Sequence, residues 1–240
     1  MKTLRLMIVA LMIAAGTQAQ IPKQFVKVNL KDIKTKVMEA PAHVRDLVNR
    51  LYEGDDKLTD EEMIQAFYGQ SYITNDGEEY FVFQMREALR KNDKKAALQA
   101  ANDVMAVNKL NLDAINTKTE IMEQMMDDTT DSTATPPSQA DIDDGKKLAQ
   151  RICKVIASTG DGTANNPYVL TKAHDEYNFL SQYLKITKVN GASQQMGNLD
   201  ILRLGEKSDR FDKDVIYFDI SRVQELEKFL ESQEKEQAMF

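Results

Sequence analysis

Four acidic residues sit where a fold could bring carboxylates to work together: Asp161, Asp175, Glu176 and Asp219. Paired carboxylates serve as acid and base, or hold a metal ion, once their loops converge. Each also has a simpler local use. Asp161 lies in the turn-forming run Gly160-Asp161-Gly162, Asp175-Glu176 suits the positive first turn of a helix, and Asp219 can cap the segment after it. Cys153 is the sole cysteine, so no internal disulfide forms, and it shares an apolar face with Ile152 and Ile156. That setting suits a buried, inert thiol, since a nucleophile needs an exposed, electropositive one. Neither His43 nor His174 is its sequence neighbour. No HExxH, GxSxG, phosphate-binding loop or paired CxxC occurs, so no motif points to a metalloprotease, a hydrolase, a nucleotide enzyme or a zinc site, and no cofactor is expected.

The elements that must position these residues begin after an export-type leader. Lys2 and Arg5, the apolar run Leu6 to Ala15 and the small-residue site Thr17-Gln18-Ala19 predict a signal peptide over 1–19, with cleavage before Gln20. The run is shorter than the about 20 apolar residues of a membrane span. The expectation is an exported, soluble protein, periplasmic or extracellular. The whole chain has 31 basic and 38 acidic residues, and losing Lys2 and Arg5 leaves 29 against 38, a formal charge of −9. Such a balance disfavours nucleic acid and anionic membrane surfaces, which need clustered Lys or Arg.

Residues 20–126 read as helical. Ile21 to Leu30 alternates loosely, and helices are expected over Leu30 to Met38 and His43 to Tyr52. Glu53 to Glu62 superficially suggests half of a calcium-binding loop, but counting back from Glu62 puts Leu51 and Asp56 where a ligand and a glycine are needed. Thr59 and Glu62 instead predict a capping box, opening a helix that carries Met63, Ala66 and Phe67 inward and stops at Gly69. Asn75-Asp76-Gly77 is compatible with a hairpin, but a helix from Glu78 is the preferred reading.

Phe81 to Met126 is the stretch around which this region is organised. Phe81, Met85, Ala88 and Leu89 fall on one helical face, Ala97, Leu98, Ala101, Val104 and Met105 on another, and a third helix begins near Leu112. Asn92-Asp93 suits a tight turn, and Asn111 closes the second helix. With Ala97 after the turn, the unit resembles a tetratricopeptide repeat, although Asn92 replaces the usual glycine and Lys109 stands where proline is common. One such unit cannot bury its own core, so it must pack against the rest of the chain.

From Asp127 to Ser138 the sequence loses its apolar face and carries two prolines, which predicts an acidic Thr/Ser/Pro linker over 127–140. Beyond it, 141–240 reads as α+β. An amphipathic helix spans Ile142 to Ser158 with Leu148, Ile152, Val155 and Ile156 inward, and a short helix covers Asp175 to Tyr183. Tyr168 to Leu170, Leu184 to Val189, Asn198 to Leu204 and Val215 to Ile220 are expected to form a small antiparallel sheet, before a charged helix from Arg222 to Gln237 with Val223, Leu226, Phe229 and Leu230 on one face.

Several short motifs stand in order along this chain: Leu58-Thr59-x-Glu61-Glu62 before Phe67-Tyr68-Gly69, Ser158-x-Gly160-Asp161-Gly162 before Tyr168-Val169, Asp175-Glu176-Tyr177 with Leu180, and Tyr217-Phe218-Asp219-Ile220-Ser221. Together they resemble a family of exported bacterial proteins known only as a domain of unknown function, number 4919. Family members often carry Tyr-Tyr-Gly where Phe67-Tyr68-Gly69 stands here. The resemblance implies no activity. It directs attention to Tyr68, Asp161, Asp175, Glu176, Tyr177 and Asp219 as candidate binding residues. The expected function is a non-enzymatic module that presents a helical groove to a protein or peptide. Two alternatives are an exported hydrolase built on the carboxylates, and a structural accessory domain with no ligand of its own.

Overall fold

The computed structural model describes residues 24–73, 77–127 and 137–237, with the side chains of 127 and 233–237 left aside. The expected signal peptide and most of the acidic stretch lie outside these residues. Gln24 to Asn29 has no regular structure but is tied to the far half of the chain, where Val26 N–H donates to the Ser158 carbonyl.

Local chemistry accounts for most helix ends. Helix α1 (Leu30–Glu39) is capped by Asn29, whose side chain accepts from Asp32 N–H, and α2 (Pro41–Glu53) starts on a proline preset for the helical φ. Gly54 ends α2 in the left-handed region, at φ 83°. The Arg151 guanidinium completes that end by donating to the carbonyls of Leu51 and Tyr52, both at 2.7 Å. Helix α3 (Asp60–Ile73) opens on the expected capping box: Glu62 N–H donates to Thr59 Oγ1 at 3.2 Å, and Thr59 N–H donates to Glu62 Oε2 at 2.8 Å. The helix does not stop at Gly69. It runs on to Ile73, and Gly69 is an interior packing point, where an added Cβ would lie 2.7 Å from a Val44 methyl.

Helices α4 (Gly77–Arg90), α5 (Lys94–Val107) and α6 (Leu112–Asp127) follow as consecutively packed helices. Asn92 takes φ 55° in the first turn and Asp93 caps α5 through Ala96 N–H; Asn111 does not close α5, which ends at Val107 with Asn108 after it, but caps the start of α6 through Ala114 N–H. Met85, Ala97, Ala101 and Val104 are buried as the period predicts, but Leu89 is 44% exposed, because the inward stripe of α4 is Val82, Met85 and Ala88. The alanines let α4, α5 and α6 close on two small clusters of their own.

Helix α7 (Gln139–Ser158), capped by Ser138, carries Leu148, Ile152, Val155 and Ile156 inward as expected. It begins inside the stretch read as linker, and only 128–136 separate it from α6 outside the described residues. Strand β1 (Tyr168–Val169) and helix α8 (Asp175–Phe179) come next, and a π-helical turn at Leu180–Leu184 continues α8. Strands β2 (Gln194–Met196), β3 (Leu199–Arg203) and β4 (Val215–Asp219) precede α9 (Ser221–Gln237). The α+β class holds, but the sheet differs from the expected one in three ways. Its order is β1-β4-β3-β2, antiparallel at β2/β3 and β3/β4 but parallel at β1/β4, where Tyr168 faces Phe218. Leu184 to Val189 is not a strand: the π-helical turn takes its start, and only Val189 bridges to Leu204. Its apolar residues Leu184 and Ile186 are buried by the shared core rather than by a strand face. The exposed β2 carried no apolar pattern to read.

One hydrophobic core runs through both halves of the chain, joining Ile33, Leu47 and Tyr68 to Ile152, Phe179 and Phe218. The aromatic rings of Tyr168, Phe179 and Phe218 meet at its centre, with Tyr168 and Phe179 4.8 Å apart edge to face. Cys153 is buried there and burial pushes its thiol up to about 12, which leaves it without thiolate character. Among the described residues no helix is long and apolar enough to cross a membrane.

Candidate functional site

The carboxylates separate into three environments. Asp161 accepts from Thr163 N–H and Oγ1 at 3.0 and 2.7 Å, closing its own turn. Asp219 accepts from Ser221 N–H and Oγ at 2.8 and 2.6 Å, fixing the start of α9. Each therefore commits one carboxylate oxygen, Oδ1, to its own turn or cap. Asp175 and Glu176, at the start of α8, are 2% and 3% exposed. Asp175 takes only Thr171 Oγ1 at 3.2 Å, and burial pushes its carboxyl up to about 7 despite the nearby Lys172. Glu176 is pushed up to about 8 by burial and by the Asp200 carboxyl of β3, and its Oε1 is the one buried side-chain oxygen without a partner among the described residues.

The two tyrosines also diverge. Tyr68 is fully enclosed and donates to the Val169 carbonyl at 2.8 Å, a bond that ties α3 to β1, while burial drives its phenol far from ionisation. Tyr177 is 54% exposed on the outer face of α8. The six candidates thus do not form one constellation. Of them, Asp175 borders a pocket of about 160 Å³ between α4, the start of α6, the 171–175 loop and α9.

Behind two of its lining residues, Asn111 and Lys172, that pocket has a polar floor centred on Glu78, which does not itself line the pocket and which the sequence did not announce. Glu78, 1% exposed, accepts from Asn108 and Asn111 side-chain amides at 2.8 and 2.7 Å, and its other oxygen meets Lys172 Nζ at 3.1 Å. Lys172 also reaches Glu79 at 2.6 Å. Burial pulls the Lys172 ammonium down, but Glu78 and Glu79 outweigh it and hold it above its ordinary value. Beside this floor, Arg86 pairs with Asp113 at 3.1 Å, and His174 is lowered by burial and by the Arg86 charge. The apolar part of the lining is Val82 from α4, and Val223, Leu226 and Leu230 from α9. The signal that could have led here is Asn108-x-x-Asn111 between α5 and α6, since each Asn caps a helix or turn with its oxygen and still has an amide to give.

The arrangement can grip a side chain that is part apolar and part charged. A family model described as "Domain of unknown function (DUF4919)" matches residues 31–228, from α1 into α9. The chain belongs to the DUF4919 family. The match covers every residue of the pocket except Leu230. Neither a curated protein nor a solved structure matches the chain. The DUF4919 domain also has a larger, mixed cleft of about 570 Å³ between α2, α6 and α7, bordered by Lys118, Asp141, Asp144 and Arg151. Its Arg151 is already committed to the end of α2. Among the described residues no group of three or more His, Cys, Asp or Glu is placed to hold a metal ion.

Proposed function

We propose that this DUF4919 protein is an exported, non-enzymatic module of the cell envelope that binds a protein or peptide at the α4/α9 pocket. The observation that carries the reading is the pocket itself, an apolar lining beside a fully bonded ionic floor. Such a floor is rigid, because Glu78 is held by three donors at once. Exposed aromatics extend the surface on both sides. Phe83, 58% exposed, lies one helical turn from Glu79 and from Arg86, and Phe229, 50% exposed, follows Leu226 by three residues. Phe229 shares the apolar face of α9 read from the sequence but stays half exposed, as an aromatic anchor for a partner would. The tetratricopeptide-like turn chemistry of α4 to α6 and the leader-like residues 1–19 support the same reading.

The test is selection of phage-displayed heptapeptides on the chain starting at Gln20, with Phe83→Asp plus Leu230→Asp as the counter-target. Enriched peptides should bind the parent at least about tenfold more tightly than the variant, as expected when an anchor contact is lost. Peptides that bind both proteins equally, or no enrichment, overturn the assignment.

One observation favours a second reading, hydrolysis. Asp175 borders the pocket with its carboxyl near 7, in the range of a working acid or base. In that case Asp175→Asn abolishes turnover of a bound peptide while leaving its affinity unchanged.

A further inference from the structure

The shape and charge of the α4/α9 pocket narrow what can enter it. Its volume of about 160 Å³ is below the roughly 300 to 1,000 Å³ of small-molecule sites and equals about five waters at roughly 30 Å³ each. That is room for one long side chain. Two cations, Arg86 and Lys172, belong to the site, and both are already engaged by carboxylates. Against them in the lining stand Glu79, Asp113 and Glu227; Arg86 is matched by Asp113 and Lys172 by Glu79, so the exposed Glu227 leaves the lining with an excess of negative charge even with Asp175 protonated and His174 neutral.

A carboxylate entering here would add to that excess. A purely apolar side chain would strip water from Asp113 and Glu227 and return no hydrogen bond. A long cationic side chain satisfies both walls, because its methylene stem covers apolar surface while its head stays at polar groups. We infer that the pocket receives a lysine or arginine side chain presented by a partner protein, its stem along Val82, Leu226 and Leu230 and its head toward Glu227. The acidic balance of the whole chain steers such a partner in the same direction. Phe83 and Phe229 then cover the residues flanking the inserted cation. This inference rests on the peptide-binding reading and adds the chemical identity of the anchor.

The experiment titrates the ¹⁵N-labelled chain, starting at Gln20, with acetyl-Gly-Leu-Xaa-Leu-Gly-amide peptides in which Xaa is Lys, Arg, norleucine or Glu. The Lys and Arg peptides should shift the amides of α4, α9 and the 171–175 loop, at least about fivefold more tightly than norleucine. The Glu peptide should leave those amides unmoved. Glu227→Lys, an exposed change that the fold tolerates, should weaken the Lys peptide about two- to fivefold. Equal or tighter binding of norleucine overturns the cationic anchor while leaving peptide binding intact. The absence of pocket shifts with all four peptides overturns both readings.

Discussion

The floor of the α4/α9 pocket and the meeting of Glu176 on α8 with Asp200 on β3 bury the same kind of group and treat it in opposite ways. Glu78 meets two amides and an ammonium, so its charge is fully matched. Glu176 meets the Asp200 carboxyl and keeps one oxygen without a partner, so its charge is opposed. The first arrangement fixes local structure through bonds that fail together. The second stores a cost that depends on pH. What distinguishes them is the surroundings, because neither residue differs from the other in burial.

The sharpest test of that contrast is removal of each carboxylate in turn. Glu78→Leu leaves Lys172 and two asparagine amides without their shared acceptor, and should cost about 3–5 kcal/mol in urea unfolding. Combining it with Lys172→Met should recover part of that loss, because the largely buried ammonium, left with Glu79 alone, is then removed. A double variant no more stable than Glu78→Leu alone would show that the ion pair is not the source of the cost.

Glu176→Gln is expected to act with the opposite sign. An acid whose folded pKa is raised keeps its proton in the native state while the unfolded chain has lost it, so stability falls as pH rises from about 4.5 to about 8. Asp175 adds a loss of the same sign from about 3.8 to about 7. Glu176→Gln should therefore flatten the upper part of this limb and stabilise the fold at pH 9 by about 1–3 kcal/mol, read from urea midpoints. Destabilisation at pH 9 would break the comparison.

The smallest effect is expected from Asp200→Asn, which leaves the burial of Glu176 in place but removes the charge beside it. Its stability change at pH 7 should stay below about 1 kcal/mol, while the upper edge of the pH limb moves down from about 8. An unmoved edge would show that burial alone raises Glu176.

Much of the fold was legible because it is written in short-range chemistry. Thr59 with Glu62, Asn92-Asp93 and Asn111 set helix starts and turns through contacts only a few residues long. The inward faces of α5 and α7 follow from period alone. Gly69 misled because a glycine ends a helix in one context and admits a neighbouring helix in another, and only the position of Val44 separates the two. Leu184 to Val189 misled because an apolar run reads alike whether it enters a strand or a buried turn.

The candidate site was less legible, for a related reason. Asp161 and Asp219 are explained by their own neighbours in sequence, and the structure puts them to that local use. The sequence by itself determined which residues cap and turn, and which faces are apolar. Only the tertiary structure decided that Glu78, Asn108, Asn111 and Lys172 share one floor, and that Glu176 meets Asp200. Capping energies act over one helical turn and so leave a local pattern, whereas the partner of a buried charge is set by which helices and strands the core draws together.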